Sequence, residues 1–203
     1  MKSIHKFSIF LVSLIMSCQS LAIGNHLTGM QLGAEDAPVK IIEYRSLRCG
    51  HCADFSNEIF PELKEKYIDT GIVNFEVRPF PFDRLDLTAF QLLNCVDKKD
   101  FFAMDKFLFK NQKDWFVTNQ SDKVLENSTA ALMNYGKLFG ISEEMFNECI
   151  EDEVITDLIL EHRVEAFEKY DVSSTPTFII NGIKFSGNMP LEEFDKIIEK
   201  EIN

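Results

Sequence analysis

Two cysteines separated by two residues follow a short apolar run, and a helical pattern begins at the first of them. The run is VKIIEY (residues 39–44), the cysteines are Cys49 and Cys52, and apolar side chains then recur every four residues as far as Tyr67. A β-branched run of this length is typical of a buried strand, and the four-residue spacing is typical of an amphipathic helix. This order predicts a strand that leads to a CxxC pair at the N-terminus of a helix, which Pro61 is expected to kink.

The rest of the chain alternates between strand and helix patterns in long blocks. A second strand is predicted at residues 72–80, so that strand, helix and strand form a β-α-β unit with parallel strands. From about residue 83 to residue 170 the apolar positions have helical spacing throughout. Strand character returns at residues 177–181, where an Asn-Gly pair predicts a hairpin because both residues tolerate positive φ. Residues 191–202 form a final amphipathic helix.

This layout predicts an α/β fold in which an all-helical domain is inserted between a β-α-β half and a β-β-α half. We expect residues 23–82 and 171–203 to form the host domain and residues 83–170 to form the inserted helical domain. No Gly- or Ser-rich linker separates the two, so the insertion is expected to pack directly on its host.

The N-terminus has the composition of an export signal. Lys2 and Lys6 precede a short apolar run, and SLA at residues 20–22 supplies the small residues that a signal peptidase requires, so we expect residues 1–22 to be a signal peptide. The alternative is a lipoprotein site at which Cys18 is lipidated. Either targeting signal places the protein outside the cytoplasm, in the periplasm, where disulfides persist.

The formal net charge is −12 at pH 7. A nucleic-acid-binding surface requires a basic face, and docking on anionic lipid requires clustered Lys and Arg. The charge therefore argues against both functions and is typical of a soluble acidic surface.

The cysteine count suggests two pairs. The chain has five cysteines, and four remain once Cys18 leaves with the signal peptide. An even number in an oxidising compartment favours disulfides, here Cys49–Cys52 and a structural disulfide between Cys95 and Cys149. The alternative for the second pair is two buried free thiols that behave as small hydrophobic residues.

The CxxC pair itself has three interpretations: redox exchange, a zinc site, or a structural disulfide. At a helix N-terminus Cys49 faces free backbone amides that favour its thiolate, His51 adds charge beside it, and Cys52 is expected to be the shielded partner. A zinc site requires about four ligands, and the remaining cysteines and histidines are scattered. A structural CxxC disulfide closes too small a loop to stabilise the fold much. Redox exchange is therefore favoured, with no metal.

Two motifs at either end of the helical block carry a family resemblance. YRSLRCGHCADF (residues 44–55) and SSTPTFIINGIKFSG (residues 173–187) resemble the DsbA family of exported thiol-disulfide oxidoreductases, over about residues 30–200. The resemblance implies a thioredoxin-like fold with a helical insertion and a periplasmic dithiol oxidase that has no cofactor beyond its cysteine pair. It also implies that Thr175-Pro176 is a cis peptide lying against the active-site sulfurs. Its partners would be unfolded exported proteins and a quinone-linked membrane protein that reoxidises it.

The resemblance also assigns a role to Glu43, because the family often has a buried acid six residues before the first cysteine. Glu43 would accept the proton of Cys52 during exchange, and Arg78 on the second strand is the expected ion-pair partner of Glu43. The alternative from the sequence alone is a glutamate exposed at the end of a strand.

Two departures from the family leave the direction of electron flow open. The Gly-His dipeptide inside the CxxC is better known from eukaryotic protein disulfide isomerases, and a threonine before the proline is also seen in bacterial isomerases. A monomeric isomerase or reductase would use the same residues, and a non-catalytic thioredoxin-like module that binds peptides or metals is a further alternative. A lead of about sixteen residues before the predicted first strand leaves no room for the dimerisation domain of bacterial isomerases, so a monomer is expected.

Overall fold

A five-stranded mixed sheet forms the centre of the computed structural model, which describes residues 29–116 and 123–202. The predicted signal peptide and Cys18 lie outside these residues. The strands lie in the order β1-β3-β2-β4-β5, with β2 and β3 parallel and the other neighbours antiparallel. Their bounds are β1 (Met30–Leu32), β2 (Val39–Arg45), β3 (Val73–Pro79), β4 (Thr177–Ile180) and β5 (Ile183–Ser186).

The strand β2 is central and carries the chain to the CxxC pair. In register, Glu43 on β2 lies opposite Val77 on β3 and Phe178 on β4. Tyr44, the next residue, lies opposite Arg78. Because side chains alternate between the two faces of a sheet, Glu43 and Arg78 lie on opposite faces.

The helix after the CxxC pair, α1, covers residues 50–68. It alternates between α-helical turns, Gly50–Asp54 and Phe60–Leu63, and π-helical turns, Phe55–Ile59 and Lys64–Ile68. The first π-helical turn ends at Ile59, two residues before Pro61, whose missing amide hydrogen cannot continue the normal hydrogen-bond ladder. The sequence pattern predicted the helix but not its π-helical turns.

The segment between β3 and β4 is helical in its described part, as its periodicity predicts. A disulfide joins Cys95, the last residue of α2, to Cys149 on α6, with 6.2 Å between their Cα atoms. The helices are α2 (Arg84–Cys95), α3 (Phe101–Lys110), α4 (Gln112–Trp115), α5 (Val124–Leu138), α6 (Glu143–Glu151) and α7 (Glu153–Tyr170). After the β4–β5 hairpin, α8 (Leu191–Ile202) ends the described chain.

The helical segment packs directly against the start of α1. Leu47, Cys52 and Ala53 belong to the same buried apolar cluster as side chains of α2, α3 and α6. A second cluster fills the space between the sheet and the helices α1 and α8. The active-site turn is therefore held between the sheet and the helical segment.

The structure confirms the α/β fold with helices inserted between the two halves of the sheet. The Asn-Gly hairpin is present, with φ of 45° at Asn181 and 87° at Gly182. The first strand of the sheet was missed, since β1 begins at Met30 rather than at Val39. Within residues 29–116 and 123–202, no helix is long and apolar enough to cross a membrane.

Candidate active site

Cys49 occupies the N-cap position of α1, and its backbone is extended, with φ −80° and ψ 122°. Helical conformation begins at Gly50, so the first amides of the helix point toward the Cys49 sulfur. Cys49 is partly exposed, whereas Cys52, one turn later, is fully buried. Both are free thiols in the structure. Cys49 is therefore the cysteine of the pair that a substrate can reach.

The loop before β4 lies against Cys49. The Thr175-Pro176 peptide bond is cis. The Cys49 thiol donates a hydrogen bond to the carbonyl oxygen of Thr175 at 3.3 Å. The Thr175 side chain is buried beside this contact and is one of the groups that act on the Cys49 thiol.

These surroundings lower the pKa of the Cys49 thiol to about 5. The largest contribution is a hydrogen bond from the Cys52 thiol, and burial opposes it. The Thr175 side chain and the backbone amides of Cys52 and His51 lower the pKa further. At neutral pH Cys49 is therefore a thiolate, which is both the reactive form and a good leaving group.

Cys52 has the opposite environment. Burial raises the pKa of its thiol well above the ordinary value, and the hydrogen bond to Cys49 and the charge of Glu43 raise it further. Cys52 therefore keeps its proton when both cysteines are reduced, and a group that accepts and returns this proton is needed during exchange.

Glu43 has the burial that such a group requires. Its side chain is fully buried, which excludes the alternative of an exposed strand-end residue. Burial raises the pKa of its carboxyl to about 7, although the charge of Arg45 and a hydrogen bond from Arg45 lower it. Glu43 can therefore gain and lose a proton near neutral pH.

The expected partner of Glu43 was wrong. Arg45 on the same strand makes the ion pair with Glu43. Arg78 instead pairs with Glu76 at 2.5 Å and with Glu165 at 2.6 Å. The reason is the strand register, which places Arg78 on the other face of the sheet from Glu43.

His51 lies at the surface of the site. Three quarters of its side chain is exposed, and its Nδ1 lies 3.5 Å from Oδ2 of Asp54. Its backbone amide, rather than its ring, is the group that contributes to the low pKa of Cys49. This placement leaves the ring free to contact a substrate.

The sequence analysis missed two residues whose side chains hold the active-site turn in place. Gln112 on α4 donates hydrogen bonds to the carbonyl oxygens of Leu47 at 2.8 Å and Cys49 at 3.1 Å. Asp86 on α2 accepts hydrogen bonds from the Ser46 hydroxyl at 2.6 Å and the Leu47 amide at 3.0 Å. Both lie far from the CxxC in sequence, so no local pattern indicates them.

Among the described residues, no group of three or more His, Cys, Asp or Glu side chains is arranged to hold a metal ion. The chemistry that the arrangement supports is thiol-disulfide exchange by Cys49, with Cys52 as its partner.

The chain is similar to known proteins over most of its length. The family model described as thioredoxin matches residues 25–200. The crystal structure of alpha-DsbA1 from Wolbachia pipientis superposes with a TM-score of 0.72 and 35% sequence identity, over 85% of this chain and 90% of that one. The chain belongs to the DsbA family. The two motifs on which the sequence resemblance rests, the CxxC turn and the cis-proline loop, lie next to each other in this DsbA-family fold.

Curated relatives are similar across most of the chain. A candidate protein-disulfide oxidoreductase of Rickettsia bellii is 32% identical over 178 residues, which cover 86% of this chain and 66% of the relative. Disulfide bond formation protein D of Bacillus subtilis is 25% identical over 179 residues, covering 84% of this chain and 76% of that protein. The rickettsial relatives are longer, and the chain spans 60–66% of their length.

Proposed function

We propose that this protein is a periplasmic thiol:disulfide oxidoreductase that introduces disulfide bonds into exported proteins through Cys49 and Cys52. The main support for this proposal is the difference in pKa and exposure between the two thiols. The pKa of Cys49 is lowered to about 5 at a partly exposed helix N-terminus, while burial raises the pKa of Cys52. A stabilised thiolate favours the reduced form of the protein, and such a protein oxidises other thiols.

The exchange proceeds in two steps. A substrate thiolate attacks the Cys49 sulfur of the Cys49–Cys52 disulfide, forms a mixed disulfide and leaves the electron pair of the broken bond on the Cys52 sulfur. Glu43, whose carboxyl has a pKa of about 7, gives a proton to Cys52. A second substrate thiolate then attacks the substrate sulfur and releases Cys49 as a thiolate. The substrate gains a disulfide, and the protein is left with two reduced cysteines.

An apolar cleft beside the site supports unfolded polypeptides as substrates. It has a volume of about 770 Å³ and extends to Ser173, two residues before Thr175. Phe82 and Phe167 are 46% and 64% exposed there, although both are large and apolar. Exposed apolar surface of this kind usually marks a binding site. An extended apolar segment of an unfolded chain would lie in this cleft while its cysteine reaches Cys49. The lining residues are Phe80, Phe82, Leu160, Arg163, Val164, Phe167, Glu168, Val172 and Ser173.

The proposed function also requires export of the protein and reoxidation of its cysteine pair. The Lys-flanked apolar N-terminus supports removal of residues 1–22 at the membrane, and lipidation of Cys18 is the alternative form of export. A quinone-linked membrane protein would return the Cys49–Cys52 pair to the disulfide. We propose that the protein acts as a monomer, because a single chain supplies both active-site motifs.

The reduction potential of Cys49–Cys52, measured by equilibration with glutathione buffers, tests the proposed direction. A value near −120 mV, about that of the strongly oxidising DsbA, supports the oxidase. A value at or below about −180 mV would instead assign the protein to isomerase or reductase work.

Two further variants test the chemistry itself. Cys49→Ser should abolish the oxidation of a dithiol peptide. Glu43→Gln should slow this oxidation and make its rate less dependent on pH.

The wild-type protein itself tests the alternative of a binding module. If it shows no turnover with thiols but its reduced form retains metal stoichiometrically, the protein is a binding module and the proposal is wrong. Analytical ultracentrifugation tests the monomer.

A further inference from the structure

A buried charge cluster joins the active-site strand to the helical insertion. It consists of Glu43 and Arg45 on β2 and Asp105 on α3, whose exposed fractions are 0%, 1% and 3%. The Arg45 guanidinium donates through Nη2 to Glu43 Oε2 and through Nη1 to Asp105 Oδ2, the latter at 2.6 Å. One guanidinium therefore serves two carboxyl groups.

This arrangement leaves the charge unbalanced. If both carboxyls are ionised, the cluster carries a net charge of −1, and burial in a low dielectric penalises that charge. Glu43 Oε1 and Asp105 Oδ1 each lack a hydrogen-bond partner among the described residues, so neither carboxylate is fully compensated. Burial accordingly raises the pKa of both carboxyls. One proton held within the cluster makes it neutral.

The titratable and charged groups that face Glu43 come from three elements. Arg45 lies on its own strand, Asp105 lies on α3, and Cys49 and Cys52 lie at the start of α1. The residues opposite Glu43 in the sheet, on β3 and β4, are a valine and a phenylalanine and carry no charge. Asp105 is thus the charged group of the helical insertion that acts on Glu43.

A cleft connects Asp105 to the surface. It has a volume of about 510 Å³, and its lining includes residues of α1 and α3. The partly exposed Lys64 and the exposed Lys106 also line it, and Ser56, one helical turn beyond Cys52, lies at its wall. Asp105 is therefore the member of the cluster that borders this cleft, since neither Glu43 nor Arg45 lines it.

We propose that Asp105 is a positioning residue for disulfide exchange, which holds one arm of Arg45 so that Glu43 receives only part of the guanidinium charge and can exchange a proton with Cys52. This inference rests on the proposed function. When a substrate breaks the Cys49–Cys52 bond, the Glu43 carboxyl gives its proton to the Cys52 thiolate. Its carboxylate is then stabilised by Arg45. In the reverse step the carboxylate takes the same proton back.

The test is the titration of the Glu43 carboxyl in the oxidised protein, followed by NMR with ¹³C-labelled glutamate and assigned with Glu43→Gln. Asp105→Asn keeps the size of the side chain and its acceptor oxygen but removes the charge. The full charge of Arg45 then acts on Glu43, and an unshared opposite charge in contact lowers a carboxyl pKa by about one unit or more. The midpoint should fall by about that amount, and Asp105→Glu should restore it. An unchanged midpoint in Asp105→Asn overturns the proposal.

Phe109→Leu is the matched control. The Phe109 ring lies 5.4 Å from the Arg45 guanidinium carbon, on the same helix as Asp105, and carries no charge. The midpoint of Glu43 should not move in this variant, and a shift as large as that in Asp105→Asn would assign the effect to packing and reject the proposal. If Asp105→Asn does not fold, the wild-type titration decides, with the ¹³C label in aspartate as well as glutamate so that both carboxyls are followed. Two carboxyls that share one guanidinium must titrate in coupled steps, and two independent single-step curves would reject the proposal.

The pH profile of exchange with a dithiol peptide separates this inference from the proposed function. In Asp105→Asn the rate profile should move to lower pH together with the Glu43 midpoint. If the wild-type protein does not exchange disulfides at all, the proposed function fails whatever the titration shows. If the wild-type protein exchanges normally and the profile of Asp105→Asn is unchanged, the role of Asp105 alone is rejected.

Discussion

The side-chain amide of Gln112 donates a hydrogen bond to the carbonyl oxygen of Cys49, with 3.1 Å between the two atoms. Because Gln112 lies on α4, a helix of the insertion, the insertion directly fixes the backbone of the reactive cysteine. The same amide also holds the carbonyl oxygen of Leu47. The helical segment is therefore part of the support of the active site as well as a neighbour of it.

Gln112→Ala should loosen the CxxC turn. Two hydrogen bonds are lost, which should lower the free energy of unfolding by about 1–2 kcal/mol. The pKa of Cys49 should rise, because the amides that stabilise its thiolate are no longer held in place. Gln91→Ala is the control: Gln91 also makes two hydrogen bonds, to Ile150 and Thr156, but none to the backbone of the CxxC turn. Urea unfolding should show a loss in both variants, and thiolate absorbance should change only in Gln112→Ala.

The thiolate of Cys49 should appear with a midpoint near pH 5 when the reduced protein is titrated at 240 nm. Cys52→Ala should raise this midpoint more than Thr175→Val, because the hydrogen bond from Cys52 is the largest of the contributions. Both substitutions remove a donor and leave the helix amides in place. A wild-type midpoint near the ordinary thiol value would contradict the asymmetry of the two cysteines.

Glu43→Gln should change how stability depends on pH. The folded protein holds the Glu43 proton up to a pKa of about 7, whereas the ordinary carboxyl value is 4.5. Since the folded state binds this proton more tightly, its contribution to stability is present below about pH 4.5 and is lost as the pH rises to 7. Over this pH window the free energy of unfolding of the wild-type protein should therefore fall by up to about 3 kcal/mol. The free energy of unfolding of Glu43→Gln should not show this fall. Urea unfolding of the oxidised proteins at pH 4.5 and pH 8 measures the difference, and parallel losses would contradict it.

Removal of the second disulfide should weaken the fold without affecting the site. Cys95 and Cys149 close a loop with a sequence separation of 54 residues, so Cys95→Ala with Cys149→Ala should lower the free energy of unfolding by up to about 4 kcal/mol. The pKa of Cys49 should stay unchanged. Denatured, oxidised wild-type protein should contain no free thiol from residues 23–203, and a count of two would show that the pair is reduced.

Phe167→Ser should reduce the rate of exchange with an unfolded protein but not with glutathione. Phe167 contributes apolar area to the cleft beside the cis-proline loop, which a tripeptide is too small to use. Leu138→Ser is the control, because Leu138 is also highly exposed, at 68%, but does not line the cleft. An equal loss of rate in both variants would argue that the cleft does not select the substrate.

Local patterns predicted the strands and helices that have strong periodicity. The segments β2, β3, β4 and α8 lie within one or two residues of their predicted bounds. The strand β1 was missed because three residues at a sheet edge are too few for an alternation to be recognised. The π-helical turns of α1 were missed because apolar spacing does not distinguish the kinds of helical turn.

The candidate site residues could be named from the sequence, but the residues that support them could not. A CxxC at a helix start is a short motif that indicates Cys49 and Cys52, whereas Pro176 was named through the family resemblance. The contacts of Arg45 with Asp105 and of Gln112 with Cys49 join residues 60 and 63 positions apart. Such contacts depend on how the insertion packs on the sheet, which one sequence does not specify. The error about Arg78 has a different origin, since it required the strand register.

The groups that act on the Cys49 sulfur come from two distant parts of the chain. The Cys52 thiol and the backbone amides of His51 and Cys52 lie in the helical turn that Cys49 begins. Thr175, in contrast, lies 126 residues after Cys49 and reaches its sulfur because β4 pairs with β2. The lowered pKa of Cys49 therefore has a local part and a long-range part, and separation of β4 from β2 would remove only the long-range part.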